Sequence, residues 1–323
     1  VSDVVTSSPG PFAHASTAHA LVPASTSSLL KDTITLGKPR IAVMAAIVGG
    51  GSWLLATPAF DAATVVRGVL GIFGVALIVM GAGALNMFLE RDVDALMTRT
   101  KNRPLAAQRM SPAWALGVGV VLSSASLPLL LVFGNALTLA LGVLSLFLYV
   151  MVYTPMKRTS AWSLVVGAVP GAMPALMGAT LATGTFETVG VALFAVVFLW
   201  QLPHFLAISI YREEEYLAAG HRVFPTSLGI VTTKALILAT TAPLSALAVA
   251  LWPLGLGGPV YAFIAALLGL WFTVISVQGF AKDGDRAADN DWARKAFIAS
   301  LVWQTLVFGA LGADRVLYAL FGA

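Results

Sequence analysis

A chain of 323 residues that is 58% hydrophobic and only 11% charged is not composed like a soluble domain, in which about 25% of residues carry charge. The absence of cysteine excludes disulfides, thiolate metal centres and cysteine nucleophiles. A formal net charge of +4 says little by itself, because its distribution matters more than its size, and no nucleic-acid partner is expected.

Residues 1–30 are rich in Ser, Thr, Ala and Pro, hold His14 and His19, and contain no Lys or Arg. They match neither a signal peptide nor an Arg-rich transit peptide and read as a disordered leader. Residues 31–323 read as a single all-α intramembrane domain. Apolar runs long enough to cross a bilayer, ~17–25 residues each, fall near 41–59, 67–89, 113–132, 135–153, 162–182, 188–207, 232–254, 259–279 and 296–313. This predicts nine transmembrane helices. Of the 19 Lys and Arg, 17 lie before the first run or in the connections 90–112, 154–161, 208–234 and 280–295. The positive-inside rule puts the N-terminus and those connections in the cytoplasm, and an odd helix count puts the C-terminus outside.

The first, fifth and sixth runs contain Gly49-Gly50-Gly51, Pro170-Gly171-Ala172-Met173-Pro174 and Pro203. Such residues predict interrupted helices whose freed backbone lines a cavity. Close helix packing through small residues is the alternative.

The second run ends in Asn86-Met87-Phe88-Leu89-Glu90-Arg91-Asp92-Val93-Asp94, followed by a loop with Arg99, Lys101 and Arg103. At about 100° per residue, Asn86, Glu90 and Asp94 line one stripe of a helix. Asp92 lies opposite and joins them only if the helix has unwound. Ionisable groups at membrane depth are functional candidates. Hard oxygen donors suit Mg²⁺, which keeps several waters and is completed by substrate phosphates, while arginine forks suit phosphate itself. An ordinary charged helix end would explain the basic loop, but not Asn86, which lies deeper.

Two further polar islands follow. Tyr153-Thr154-Pro155-Met156-Lys157-Arg158 marks topology and offers Lys157 and Arg158 to an anionic substrate. Tyr211-Arg212-Glu213-Glu214-Glu215-Tyr216 closes the sixth run, then Gly220-His221-Arg222. It is either a solvated charge run or a second metal element, since three adjacent glutamates do not share one helix face. Polar ends on the second and sixth runs suggest an internal duplication. His204, beside Pro203 in an apolar run, is either a satisfied structural group or a ligand contact.

With these residues in view the chain resembles the UbiA superfamily of intramembrane prenyltransferases, and within it the haem O synthases (protohaem IX farnesyltransferases). The resemblance rests on Leu36-Gly37-Lys38-Pro39-Arg40, the stretch from Asn86 to Pro104, Tyr153-Thr154, the Pro170 to Pro174 run, Trp200-Gln201-Leu202-Pro203-His204 and Arg212 to Tyr216. It runs from about Thr35 to the last apolar run. Two motifs depart from the wider superfamily. Met87 and Glu90 stand where the first motif usually has aspartates, and Tyr211 and Glu215 stand where the second usually has two.

The resemblance implies a UbiA-type bundle in a bacterial cytoplasmic (inner) membrane, with the active site facing the cytoplasm. It implies transfer of the farnesyl group of farnesyl diphosphate, with addition of water, to a vinyl group of haem B, which is substrate and not cofactor. Asn86, Glu90 and Asp94, with Glu215 and Asp92 as further carboxylates, would hold Mg²⁺. Arg99 and Arg103 would stabilise the leaving diphosphate, helped by Lys101, Lys157, Arg158 and Arg212, and His204 would touch the porphyrin. The product would pass to a haem A synthase or a terminal oxidase. Prenylation of a quinone or chlorophyll precursor is the nearest alternative. A transporter is the alternative of another class, although transport sites lie near the midplane.

Overall fold

The computed structural model describes residues 26–282 and 284–321. The chain runs through α1 (Thr26–Leu36), α2 (Pro39–Ala56), α3 (Ala62–Leu89), α4 (Arg91–Asp94), α5 (Pro112–Leu129), α6 (Ala136–Phe147) and α7 (Thr154–Met156). It continues through α8 (Ser163–Thr183), α9 (Thr188–Tyr211), α10 (Glu213–Ala218), α11 (Phe224–Leu228), α12 (Ile230–Ala250), α13 (Pro259–Gln278) and α14 (Arg286–Phe321). Among the described residues nine helices are long and apolar enough to cross a membrane, as expected from the hydropathy pattern. Most of the expected leader lies outside the described residues, but α1 begins at Thr26, so its last five residues are helical instead. Asp32 on α1 forms a two-armed ion pair with Arg109, both bonds 2.9 Å long, and Leu36 is fully buried against α3 and α5.

The central helices are α8 and α9, with 67% and 56% of their most apolar stretches buried, against 17% for the span built on α6. The central pair therefore carries the bundle, while α6 turns most of its surface to lipid. One apolar cluster joins α9 to α12, α13 and α14 around Tyr261, Phe272 and Trp303. Another joins α3, α6 and α8 around Val75, Ile78 and Met177.

The expectation of interrupted first, fifth and sixth helices is not met. Residues 49–51 lie inside α2, Pro170 and Pro174 inside α8, and Pro203 inside α9, each helix continuous. Close packing is the physical reason. A Cβ added at Gly178 would sit 1.9 Å from the Gly49 carbonyl oxygen, and one at Gly171 would sit 2.0 Å from Gln201 Oε1. Without a hydrophobic drive between helices in lipid, such backbone approaches supply the van der Waals contact.

Real departures from α-helix occur elsewhere. The span of α5 ends in a π-helical turn, Leu130–Gly134, soon after Pro128, and α6 widens into a π-helical segment, Leu148–Tyr153, just before Pro155. A proline removes an amide donor, and π-bulges recur at functional sites. Here the widened segment carries Tyr149 and Tyr153 beneath the charged end of the bundle.

Candidate active site

The long helix α3 stops at Leu89, and Glu90, with ψ near 5°, separates it from α4. The amide ladder nevertheless carries through, with Glu90 N donating to Asn86 O at 2.9 Å and Asp94 N to Glu90 O at 2.7 Å. Asn86, Glu90 and Asp94 are all buried, at 1%, 7% and 1% exposure. Asn86 Nδ2 donates to Glu90 Oε2 at 3.0 Å and to Thr154 Oγ1 at 2.9 Å. The expected stripe therefore forms, and it reaches the polar island at Tyr153 to Arg158.

Each member of the stripe is met by a basic side chain. Lys38 Nζ donates to Asn86 Oδ1 at 2.5 Å, and Lys157 Nζ to Glu90 Oε1 at 2.7 Å. Arg103 Nη1 reaches both oxygens of Asp94, at 2.8 and 2.7 Å. Thr100 Oγ1 ties the basic loop back to Asp94 O at 2.8 Å. Burial pushes the Glu90 carboxyl up, but the ammonium groups of Lys157 and Lys38 outweigh it and hold it below the usual carboxylate range. Burial, with Arg103 and Lys157 as neighbouring like charges, pulls the Lys38 ammonium down to about 7.

Other expected residues are placed differently. The Asp92 side chain is 81% exposed beside Arg91, on the far side of the helical wheel, so it does not join the stripe as the further carboxylate that the resemblance implied. Arg99, Lys101 and Arg158 are exposed around the rim. Glu215 accepts from Arg212 Nη1 at 2.7 Å, and Glu213 pairs with Arg286. Among the described residues no three His, Asp or Glu side chains gather as a metal-ligand set; Glu90 and Asp94 are instead paired with Lys157 and Arg103. The donors still fit Mg²⁺ in kind, being buried hard oxygens at the charged end of the bundle.

The sixth span repeats the design of the second. After α9, Arg212 with ψ near 14° separates a long helix from short α10, as Glu90 separates α3 from α4. Val93 and Met97 pack against Ala219 and Tyr216, and Arg222 N donates to Lys157 O at 2.9 Å. All three polar islands thus meet at one end of the bundle.

Lys38, Thr154 and His221 had no site role in the sequence reading. The signal for Lys38 was Gly37-Lys38-Pro39. Gly37 lies so close to α3 that a Cβ would come within 2.8 Å of Met80 Cε. Lys38 takes a left-handed φ of 50°, in keeping with a following proline that disfavours right-handed helix, and its side chain reaches Asn86. His221 is 6% exposed, and its Nδ1 has no hydrogen-bond partner among the described residues. Burial first, then the Lys157 charge, lowers its pKa. Below Lys38 a cleft of about 550 Å³, counting its open mouth, runs between Tyr149, Ile78, Leu146, Pro170 and Pro174.

The UbiA prenyltransferase family pattern matches residues 42–301. The protoheme IX farnesyltransferase of Anaeromyxobacter dehalogenans is 44% identical over 286 residues, which cover 88% of this chain and 94% of that protein. Protoheme IX farnesyltransferase 1 of Bacillus subtilis is 36% identical over 311 residues, 93% of this chain and 95% of its own. The chain belongs to the UbiA prenyltransferase family. Solved structures agree in fold: a UbiA homolog from Archaeoglobus fulgidus bound to DMAPP and Mg²⁺ superposes with a TM-score of 0.63 at 16% identity, covering 87% of this chain and 99% of that one. A digeranylgeranylglyceryl phosphate synthase structure gives a TM-score of 0.75 at 16% identity, covering 89% and 98%. In this UbiA member the matched segment leaves Lys38 outside, so the ammonium on Asn86 comes from the turn that precedes it.

Proposed function

We infer that this protein transfers the farnesyl group of farnesyl diphosphate to a vinyl group of protohaem IX, with addition of water, giving haem O and diphosphate. The observation that carries the inference is the likeness to protoheme IX farnesyltransferases along about nine-tenths of the chain. The buried Asn86, Glu90 and Asp94 stripe supports a diphosphate chemistry at the charged end.

In this proposal Asn86, Glu90 and Asp94 hold Mg²⁺, with Glu215 on the facing element as a further carboxylate. When bound, the ion neutralises charge on the diphosphate as a Lewis acid. Lys38, Lys157 and Arg103 move from the carboxylates and the amide to the phosphate oxygens as substrate enters, and Arg99, Lys101, Arg158 and Arg212 close the rim. Charge that develops on the leaving group then meets cations already in place. The farnesyl chain lies in the cleft below Lys38. Lipid is as apolar as that cleft, so the head-group contacts, more than chain burial, set the affinity. The cleft keeps water from the allylic cation until the vinyl carbon has attacked. His204 contacts the porphyrin. The charged end faces the cytoplasm of a bacterial cytoplasmic membrane, and the product passes to a haem A synthase or a terminal oxidase.

The test is mass spectrometry of haem extracted from membranes that contain the protein and are supplied with protohaem, farnesyl diphosphate and Mg²⁺. A haem heavier by one farnesyl group plus one hydroxyl group, absent with Asp94→Ala, is the expected product. Unchanged haem alongside a prenylated quinone precursor would refute the acceptor.

A further inference from the structure

His204 is held on three sides. Its ring stacks on Trp200, with centroids 4.8 Å apart and planes 28° from parallel, and Phe297 covers it at 4.7 Å and 36°. Its Nδ1 lies 2.8 Å from Ser300 Oγ on α14. Ser300 is itself fixed, because its hydroxyl donates to Phe297 O at 2.6 Å and its carbonyl accepts from Trp200 Nε1 at 2.7 Å.

A hydroxyl has one proton to give, and Ser300 gives it to the Phe297 carbonyl. The lone pair left facing His204 can only accept, so Nδ1 carries the hydrogen. A neutral imidazole has one N–H, and the lone pair therefore sits on Nε2. That nitrogen has no partner among the described residues. With aromatic rings over the imidazole and Nδ1 engaged, the Nε2 edge is the one left to meet a ligand.

We propose that Ser300 is a positioning residue that fixes His204 as its Nδ1–H tautomer and presents Nε2 as a single axial base to the iron of the porphyrin substrate. The proposal rests on protohaem being the acceptor. Histidines that bind metals characteristically donate their other ring N–H to an oxygen acceptor, which orients the ring and raises its basicity. One ligand also suits a porphyrin that must leave after reaction.

The experiment titrates ferric protohaem IX into the purified full-length protein and follows the absorption and electron paramagnetic resonance spectra. An imidazole-ligated species is expected, lost in His204→Ala and restored there by added imidazole. Ser300→Ala is expected to weaken ligation by about 10–100-fold, the usual effect of losing such an outer partner, and Ser300→Thr to restore it. Prenyl diphosphate binding, measured alongside, stays at the parental value in each variant. Parental spectra and affinity in Ser300→Ala would overturn the proposal, as would equal loss of haem and prenyl diphosphate binding in both serine variants. Haem bound with a spectrum indifferent to His204→Ala would overturn the axial ligand and leave the acceptor standing. A parent protein that binds no haem would overturn both.

Discussion

Lys157 has two tasks that are separable in an experiment. Without substrate it neutralises Glu90, whose side chain is only 9% exposed; with substrate it is proposed to face phosphate. Removing one partner of a buried pair strands the other charge, at a cost of ~3–5 kcal/mol where burial is complete, and less here because the Lys157 side chain is 19% exposed. Lys157→Met should therefore lower the melting temperature in detergent without ligand. Mg²⁺ with farnesyl diphosphate should recover most of the loss, since a bound cation then meets Glu90. A variant as stable as its parent without ligand would show that Glu90 does not need this partner. The contact of Asn86 with Glu90 was legible in the sequence because four residues is one helical turn. Those of Asn86 with Lys38 and Thr154 were not, because the partners lie 48 and 68 positions away and only the tertiary fold closes the distance.

At the scale of helices, the small residues join rather than break. The proline and glycine signals at 49–51 and 170–174 were visible, but their meaning depends on which helix lies opposite, and no local pattern reports that. Gly178 and Gly50 make the distinction testable, because a Cβ at Gly178 meets the Gly49 carbonyl at 1.9 Å while nothing lies within 4 Å of one at Gly50. Gly178→Ala should destabilise by about 1–3 kcal/mol or more, the cost of overpacking, and Gly50→Ala should change stability little; equal melting temperatures would refute the packing argument. The docking of α1 is a matter of charge. The Arg109 guanidinium bonded to Asp32 holds that carboxyl below its ordinary value despite the opposing effect of burial. A depressed carboxylate pKa stabilises the fold above the ordinary carboxylate range, and the contribution vanishes as pH falls through the folded-state value. Protection of the α1 amides, taken relative to the intrinsic exchange rate at each pH, should thus be high at neutral pH and fall on strong acidification. Asp32→Asn should exchange fast at neutral pH and differ little from its parent in acid; slow exchange in that variant at neutral pH would count against the ion pair.

For the whole molecule the unassigned quantity is direction. Seventeen of the 19 Lys and Arg lie at one end of the bundle by sequence, with Arg67 and Arg315 at the other, and an excess of this kind marks the cytoplasmic face. The 21 residues of α8 rise about 31 Å, at ~1.5 Å each, close to the ~30 Å hydrocarbon core. Its two flanks, exposed Thr159 and Phe186, therefore belong to opposite aqueous faces. Because the chain has no cysteine, one introduced thiol reports alone. In right-side-out vesicles of a bacterial cytoplasmic membrane, an impermeant maleimide should label Phe186→Cys and spare Thr159→Cys, and inverted vesicles should reverse the result. Labelling of Thr159→Cys from outside would turn the bundle over and put the Asn86 stripe on the outer face, away from a cytoplasmic supply of prenyl diphosphate. Labelling of both from one side would mean that α8 does not span, which its burial at the centre of the bundle argues against.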